Sequence, residues 1–321
     1  MTKVLVSDRT HPVLEERLRE AGIEVSVEPD HDYNSLLHAV QGYDALVVRS
    51  KVIIDRAFID GAPSLRCIGR VGAGMETIDV DYAESKGIRC INSPEGNRDA
   101  VGEHTVGLLL AMLNNIARAD SEVRRGLWQR EANRGRELSS LTVGIVGFGN
   151  MGQAFARRLI GFGCKIIYYD IREVEIGDQW SMACTQMPAA VSFEELQSEA
   201  DVVSFHVPLT PETYHYLDSR FVACMAKPFY LVNTSRGAVV DTEALADALD
   251  SGKCLGAALD VLEYENMQAD ALGTAPECVQ RLLRSQHTVL TPHVAGWTVE
   301  SKYKLAAVLA DKMIKCLRFR V

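Results

Sequence analysis

Short apolar runs alternate with helical patterns from the first residues onward. Val4-Leu5-Val6, Ile23-Glu24-Val25-Ser26-Val27, Ala45-Leu46-Val47-Val48, Cys67-Ile68-Gly69 and Ile88-Arg89-Cys90-Ile91 read as strands. A helix opens at Pro12 with Leu14, Leu18 and Ala21 on one face, and a further patterned segment lies near Leu36 to Val40. Such alternation predicts parallel strands joined by crossover helices, an α/β unit of flavodoxin-like type. Val101 to Ile116 is apolar around most of a helix and so belongs between layers. Beyond the charged stretch Arg118 to Leu138 a second series begins: Leu141 to Val146, Cys164 to Tyr169, Val202 to Phe205, Tyr230 to Val232, Leu255 to Val261 and Thr288 to Leu290. The last helix, Val299 to Leu317, follows the close of that series and is placed back on the first domain. The expected organisation is residues 1–98 with 294–321 as one discontinuous domain and 99–293 as the other.

Between two strands of the second series stands Gly147-Phe148-Gly149-Asn150-Met151-Gly152, ahead of the helix-like Gln153 to Ile160. In G-x-G-x-x-G the first glycine makes a tight turn, the second lets a pyrophosphate approach the main chain, and the third lets helix and strand pack closely. The helix N-terminus adds unpaired N–H groups and a positive dipole end. Alone, the motif is equally an ordinary glycine turn. Its strand-turn-helix context, and Asp170 lying 18 residues past Gly152 at the end of the next strand, favour a dinucleotide. A carboxylate there accepts hydrogen bonds from ribose hydroxyls and repels a 2′-phosphate, which points to NAD rather than NADP, with Arg172 as a contrary charge.

Composition narrows the partners. The 321 residues carry 34 basic and 43 acidic side chains, a net charge of −9, with no polybasic block, so nucleic acid is not an expected partner. No apolar stretch is long enough to span a membrane, and Met1 to Asp8 enters a strand pattern without a signal-peptide layout, which predicts a cytoplasmic protein. The eight cysteines form no C-x-x-C and have no His-rich partners; they read as small buried hydrophobes, and no metal site is expected.

Ligands of open parallel sheets bind beyond the carboxyl ends of the strands. Arg236, Glu265 and His293 lie at such ends. An arginine there is usually a surface ion pair, and a histidine after Thr-Pro often caps a turn. Their surroundings change that reading. Gly72-Ala73-Gly74-Met75-Glu76-Thr77-Ile78-Asp79, Asn92-Ser93-Pro94-Glu95-Gly96-Asn97, Glu103-His104-Thr105, the glycine loop, His206-Val207-Pro208-Leu209-Thr210, Asn233-Thr234-Ser235-Arg236-Gly237, Asp260-Val261 and Thr291-Pro292-His293 together resemble the D-2-hydroxyacid dehydrogenase family, and within it the 3-phosphoglycerate dehydrogenase branch. The likeness covers essentially the whole chain. It implies two Rossmann-like domains, a flavodoxin-like substrate domain and an NAD-binding domain, with an interdomain cleft, and a homodimer joined through the NAD-binding domain.

Carried onto matching positions, the resemblance makes Arg236 the clamp on the substrate's carboxylate and carbonyl oxygen, His293 the acid/base and Glu265 its partner. The chemistry requires such groups. Reducing a 2-keto acid puts negative charge on oxygen, so a cation must stabilise it and an acid must protonate it. A carboxylate beside an imidazole favours its protonated form and fixes the ring. The resemblance further implies that Asp260 holds the nicotinamide carboxamide, that Asn150, Met151, His206, Val207, Pro208, Thr234, Ser235 and Gly296 line the cofactor, and that Arg49, Ser50, Ala73 and Gly74 bind substrate. His104, in its buried-helix context, reads as structural.

The family usually has proline after the catalytic glutamate. Here Asn266 follows Glu265, and Glu263 is a conceivable substitute. The expected reaction is hydride transfer between NAD and a D-2-hydroxy acid, with 3-phosphoglycerate as leading substrate on account of Arg49, Lys51 and Arg130; Trp128-Gln129-Arg130 resembles an element that supplies a cation from the neighbouring subunit. The alternatives are a glyoxylate or hydroxypyruvate reductase, a 4-phosphoerythronate dehydrogenase and, from another class, an NAD(H)-sensing corepressor-like protein. The chain ends soon after its last helix, so the regulatory effector-binding domain of some relatives is not expected.

Overall fold

Strands buried on both faces need near-continuous apolar sequence, and the strands here have it. The computed structural model describes residues 1–174, 187–264 and 275–318. They divide into two compact units, Met1–Arg98 with Trp297–Val321, and Asp99–Gly296. In the first, β1 (Lys3–Val6), α1 (Val13–Glu20), β2 (Glu24–Val27), α2 (Tyr33–Ala39), β3 (Ala45–Val48), α3 (Arg56–Asp60), β4 (Cys67–Arg70), α4 (Val80–Ser85) and β5 (Arg89–Asn92) alternate as the pattern predicts. The strands form a parallel sheet of order β2-β1-β3-β4-β5. Asp32, Asp55 and Asp79 accept amide hydrogen bonds at the starts of α2, α3 and α4, so short polar residues between the apolar runs set where helices begin. Val4 and Val6 face one core and Leu5 the other, the alternation that gives the sheet two buried faces.

The second unit holds α5 (Arg98–Leu113), α6 (Ile116–Arg124), β6 (Thr142–Val146), α7 (Asn150–Leu159), β7 (Lys165–Tyr169), β8 (Ala189–Ala190), α8 (Phe193–Glu199), β9 (Val202–Phe205), α9 (Ser219–Cys224), β10 (Phe229–Asn233), α10 (Thr242–Asp250), β11 (Cys254–Leu259), α11 (Glu277–Arg284) and β12 (Thr288–Leu290). Its parallel sheet runs β12-β11-β10-β9-β6-β7-β8. Strand order reverses between β6 and β9, the point where such sheets bind dinucleotides. Aromatic and aliphatic side chains fill both faces, with Phe205, Phe221 and Phe229 on one and Phe148, Phe155 and Tyr168 on the other. The chain then returns to the first unit as α12 (Val299–Arg318), whose Ala306, Leu309, Ala310 and Met313 cover the face that carries Val4, Val6 and Cys67.

Two details differ from the sequence expectation. The division near the C-terminus falls between Gly296 and Trp297 rather than at 293/294. Val294 and Ala295 donate their amides to Asp260, which ties both to the second unit. The apolar stretch Val101 to Ile116 is also not one helix: it breaks after Leu113, and Asn115 takes the left-handed conformation at φ 53° before α6 begins. Asparagine tolerates that conformation better than other side chains because its short amide bonds locally. Asn115→Val should therefore destabilise the second unit by about 1–2 kcal/mol in chemical denaturation, whereas Asn115→Gly should be neutral or mildly stabilising. Equal effects of the two substitutions would contradict this account of the break.

Candidate functional site

At the switch point β6 delivers the chain into a turn at Gly147, φ 89°, where an added Cβ would lie 2.6 Å from the His206 carbonyl oxygen. That position needs both the left-handed backbone and the missing side chain. At Gly149 nothing lies within 4 Å of a Cβ position, so the loop is open where the phosphate reading requires it. No side chain caps α7, which leaves the N–H groups of its first turn, at Asn150, Met151 and Gly152, to meet an anion. A Cβ at Gly152 would come within 2.1 Å of the Gly147 carbonyl oxygen, which explains the third glycine.

Asp170, directly after β7, accepts the Phe148 amide at 2.7 Å and the Arg172 amide at 2.9 Å, so the carboxylate expected at a ribose also braces the glycine loop. Across the switch point, His206 shares a 2.8 Å hydrogen bond between its Nε2 and Ser204 Oγ, and its Nδ1 is buried with no hydrogen-bond partner. Burial pushes its pKa down to about 3, so this imidazole is neutral near pH 7. Val207 lies against the Gly147 turn and Pro208 accepts the Thr213 hydroxyl. An open glycine loop, an uncapped helix start, a carboxylate after the next strand and an unsatisfied buried ring nitrogen fit a dinucleotide.

The strand ends beside this point carry the other expected residues. After β10, Asn233 is fully buried; its Oδ1 accepts the Ser235 amide and hydroxyl, and its Nδ2 donates to the Arg236 carbonyl. This small network shapes the loop bearing Thr234, Ser235 and Arg236. Thr234 bonds Thr105 of α5 at 3.0 Å, and Arg236 Nη1 donates to the Ser235 carbonyl at 2.7 Å.

Next to it, Asp260 is 1% exposed. Its carboxylate accepts the Thr291 hydroxyl at 2.5 Å, the Val294 amide at 2.9 Å and the Ala295 amide at 2.8 Å, with His104 Nε2 at 3.4 Å. Its backbone amide donates to the Asn233 carbonyl, and its carbonyl accepts the His293 amide at 2.7 Å. His293 itself is held at φ 54°, a left-handed conformation that a non-glycine residue keeps only when its surroundings enforce it. Burial alone would push the Asp260 carboxyl up, but the bonds from His104, Thr291, Ala295 and Val294 outweigh it and hold the pKa below the ordinary value.

Sequence reasoning missed this organising role. His104 and Thr291 meet only in the fold, 3.0 Å apart, and no spacing along the chain announces the pair. His215 carries no pattern in the sequence that separates it from an ordinary polar position. Its Nε2 lies 2.7 Å from Glu263, whose other oxygen takes the Thr242 hydroxyl at 2.7 Å. Both oxygens of Glu263 are thus engaged by His215 and Thr242. Glu265 and Asn266 lie outside the described residues. Gly296 closes the second unit.

In the first unit, Arg49 follows β3 with its amide on Asp8 and its guanidinium 5.1 Å from the Trp297 ring centre, and Ser50 beside it is exposed. The Ala73 carbonyl accepts Asn92 Nδ2 at 2.6 Å, while the Ala73 and Gly74 amides make no hydrogen bond among the described residues. A cavity of about 250 Å³ in the second unit lies at the opposite, N-terminal ends of β10, β11 and β12, lined by Arg118, Arg136, Tyr230, Leu255 and His287, remote from the glycine loop. Among the described residues there is no metal-binding cluster and no helix long and apolar enough to cross a membrane.

Residues 106–295 match the sequence model of the D-isomer specific 2-hydroxyacid dehydrogenase family, NAD binding domain. The chain belongs to this family. Among curated relatives of this dehydrogenase, hydroxypyruvate reductase from Thermotoga maritima is 36% identical, with 91% of each chain covered. D-3-phosphoglycerate dehydrogenase from Methanocaldococcus jannaschii is also 36% identical over 99% of this chain, which spans 58% of that longer relative. Among solved structures, D-lactate dehydrogenase from Aquifex aeolicus, complexed with NAD and lactic acid, aligns with TM-score 0.80 and 28% identity over 99% of this chain and 94% of its own. The dehydrogenase is an NAD-dependent oxidoreductase with two parallel-sheet, Rossmann-like units.

The dehydrogenase should depend on Asp260 for stability. Asp260→Ala strands two amides and a hydroxyl in a buried site and should cost about 3 kcal/mol or more in the second unit's unfolding. Because the folded carboxyl titrates below its ordinary value, its contribution is complete above the unfolded pKa of about 4 and is lost as pH falls through the lower folded value. The stability difference between wild type and Asp260→Asn should accordingly stay flat from about pH 8 to 5 and shrink below about pH 4. A difference that shrinks between pH 7 and 5 would contradict the depressed value.

Proposed function

We propose that the protein interconverts a D-2-hydroxy acid and its 2-keto acid, with His293 as acid/base, Arg236 as the clamp on the substrate's carboxylate and carbonyl oxygen, and Glu265 as the partner of His293. The observation that carries this reading is the turn enforced at His293 by Asp260, on the same sheet edge as the Asn233-shaped loop of Arg236. The glycine loop, the start of α7 and Asp170 would hold NAD, which would supply the hydride acceptor and donor of the reaction. As the carbonyl oxygen gains negative charge during reduction, the Arg236 guanidinium stabilises it and the imidazolium of His293 protonates it. In oxidation neutral His293 accepts the hydroxyl proton. The free amides of Ala73 and Gly74 suit a carboxylate, and Arg49 and Ser50 complete the substrate-binding set.

For the substrate, oxidation of 3-phosphoglycerate to 3-phosphohydroxypyruvate, the entry to serine biosynthesis, is the leading reading. It is supported by the likeness of Trp128-Gln129-Arg130 to a cation-donating element and by the phosphoglycerate dehydrogenases among the relatives. A second reading, hydroxypyruvate or glyoxylate reduction, is favoured by two observations. Lys51 is held by Asp30 at 2.7 Å, which takes one of the three expected phosphate cations, and the hydroxypyruvate reductase matches this chain over nearly the full length of both. A homodimer through the NAD-binding unit and a cytoplasmic location complete the proposal.

Steady-state NADH oxidation with 3-phosphohydroxypyruvate, hydroxypyruvate and glyoxylate separates the readings. A phosphate held by arginine should raise kcat/KM about tenfold or more over the unphosphorylated acids; equal or higher values for the latter would discard phosphoglycerate. His293→Ala should lower kcat about 10²- to 10⁴-fold on whichever substrate is best. Undiminished turnover in that variant would remove the mechanism.

A further inference from the structure

Two cysteines of the first unit meet face to face where the returning helix crosses the sheet. Met313 of α12 packs directly over Gly69 of β4, so closely that a Cβ on Gly69 would lie 2.6 Å from its sulfur. One helical turn onward is Cys316, and two residues back along the same strand face is Cys67. The two thiols accordingly pack in one cluster as neighbours, Cys67 buried and Cys316 half-buried. Gly69, with no side chain, lets the helix come close to this face of the sheet. Arg89, paired in register with Cys67 on β5 and making no ion pair among the described residues, adds positive charge beside them, as does Arg66. Cys90 is no competitor, since it packs with Ile68 in the cluster on the opposite face of the sheet.

This arrangement divides the labour between the two sulfurs. The neighbouring Cys67 thiol, with Arg89 and Arg66 behind it, holds the Cys316 thiol below the usual range, while the same contact and burial push the Cys67 thiol up. The reactive form of cysteine is the thiolate, so the accessible sulfur is the nucleophile and the buried one is its neighbour in waiting.

We propose that Cys316 and Cys67 are a redox-active dithiol pair that an oxidant of the peroxide class converts to a disulfide fastening α12 to β4. The Cys316 sulfur attacks one peroxide oxygen; the O–O bond breaks, a Cys316 sulfenic acid forms and the leaving oxygen departs as water once protonated. The Cys67 sulfur then attacks the Cys316 sulfur, the S–O bond breaks and a second water leaves. The sulfur pair loses two electrons and the peroxide gains them. Closure forms a bond of about 2.05 Å between the sulfurs and ties the last turn of α12 to β4. A dithiol reductant reverses it.

The experiment uses the full chain with hydrogen peroxide at pH 7, followed by alkylation of remaining thiols and peptide mapping by mass spectrometry. Exposed Cys224 is the internal control. The expected result is a Cys67–Cys316 linked peptide lighter by two hydrogens, abolished by dithiothreitol, together with a rise in the first unit's melting temperature of about 5 °C. Cys316 should also alkylate at lower pH than Cys224, and Cys67→Ala should move its alkylation midpoint upward. Oxidation confined to Cys224, or Cys316 accumulating as sulfinic acid with Cys67 still a free thiol, would overturn the proposal. The mapping of the wild-type chain needs no variant, so a folding defect in Cys67→Ala leaves it decisive.

Discussion

A single buried carboxylate, that of Asp260, holds the functional edge of the second unit together. Two amides, a threonine hydroxyl and a histidine converge on its oxygens, while its own backbone joins the ends of β10 and β12. Burying a charge this deeply is unfavourable unless every lone pair finds a donor, and here the donors come from the segment whose conformation matters. The carboxylate and the left-handed turn at His293 therefore depend on each other. Remove the acceptor, and the Val294 and Ala295 amides that follow this turn lose their anchor, which leaves a backbone conformation that histidine otherwise avoids more weakly held.

The edge on which this happens is set by topology. Parallel strands end on one side of the sheet, and the order reversal between β6 and β9 leaves room there for the glycine loop. The loops after β6, β7, β9, β10, β11 and β12 supply, in turn, the open glycines, Asp170, His206, Arg236, Asp260 and His293. Each is braced locally: Asp170 by amides, His206 by Ser204, Arg236 by Asn233. The glycine loop needs positions that only glycine can fill, whereas the His293 turn has left-handed backbone beside a buried charge. The glycine positions fit the NAD dependence that goes with the family, whereas the substrate is not separated by similarity to several dehydrogenases.

Most strands were legible in the sequence because parallel strands are apolar without interruption, and periodicity captures that. The glycine loop was legible because its residues answer local steric demands. The break at Asn115 was not, since the apolar run continues through it and the deciding factor is a single left-handed residue. The two-residue strand Ala189–Ala190 carries too little pattern to be seen. At the site, strand-end reasoning located Arg236 and His293, and the resemblance supplied their neighbours, but the convergence of His104 and Thr291 on Asp260 joins residues far apart in the chain. The partners of Glu263, His215 and Thr242, are also distant in the chain and carry no signal in the sequence. Likewise eight cysteines looked alike in composition, and only the close packing of α12 over Gly69 set Cys67 and Cys316 apart.

Amide hydrogen exchange at Val294 and Ala295 tests the central claim most directly. Both amides lie just beyond β12 in a segment with no helix or strand, and among the described residues the hydrogen-bond acceptor for each is the Asp260 carboxylate. The account predicts strong protection of both amides in the wild-type protein and its complete loss in Asp260→Ala, while the amides of the central strands β6 and β9 stay protected and speed up only as far as the lowered stability of the unit requires. Rapid exchange of Val294 and Ala295 in the wild-type protein would contradict it.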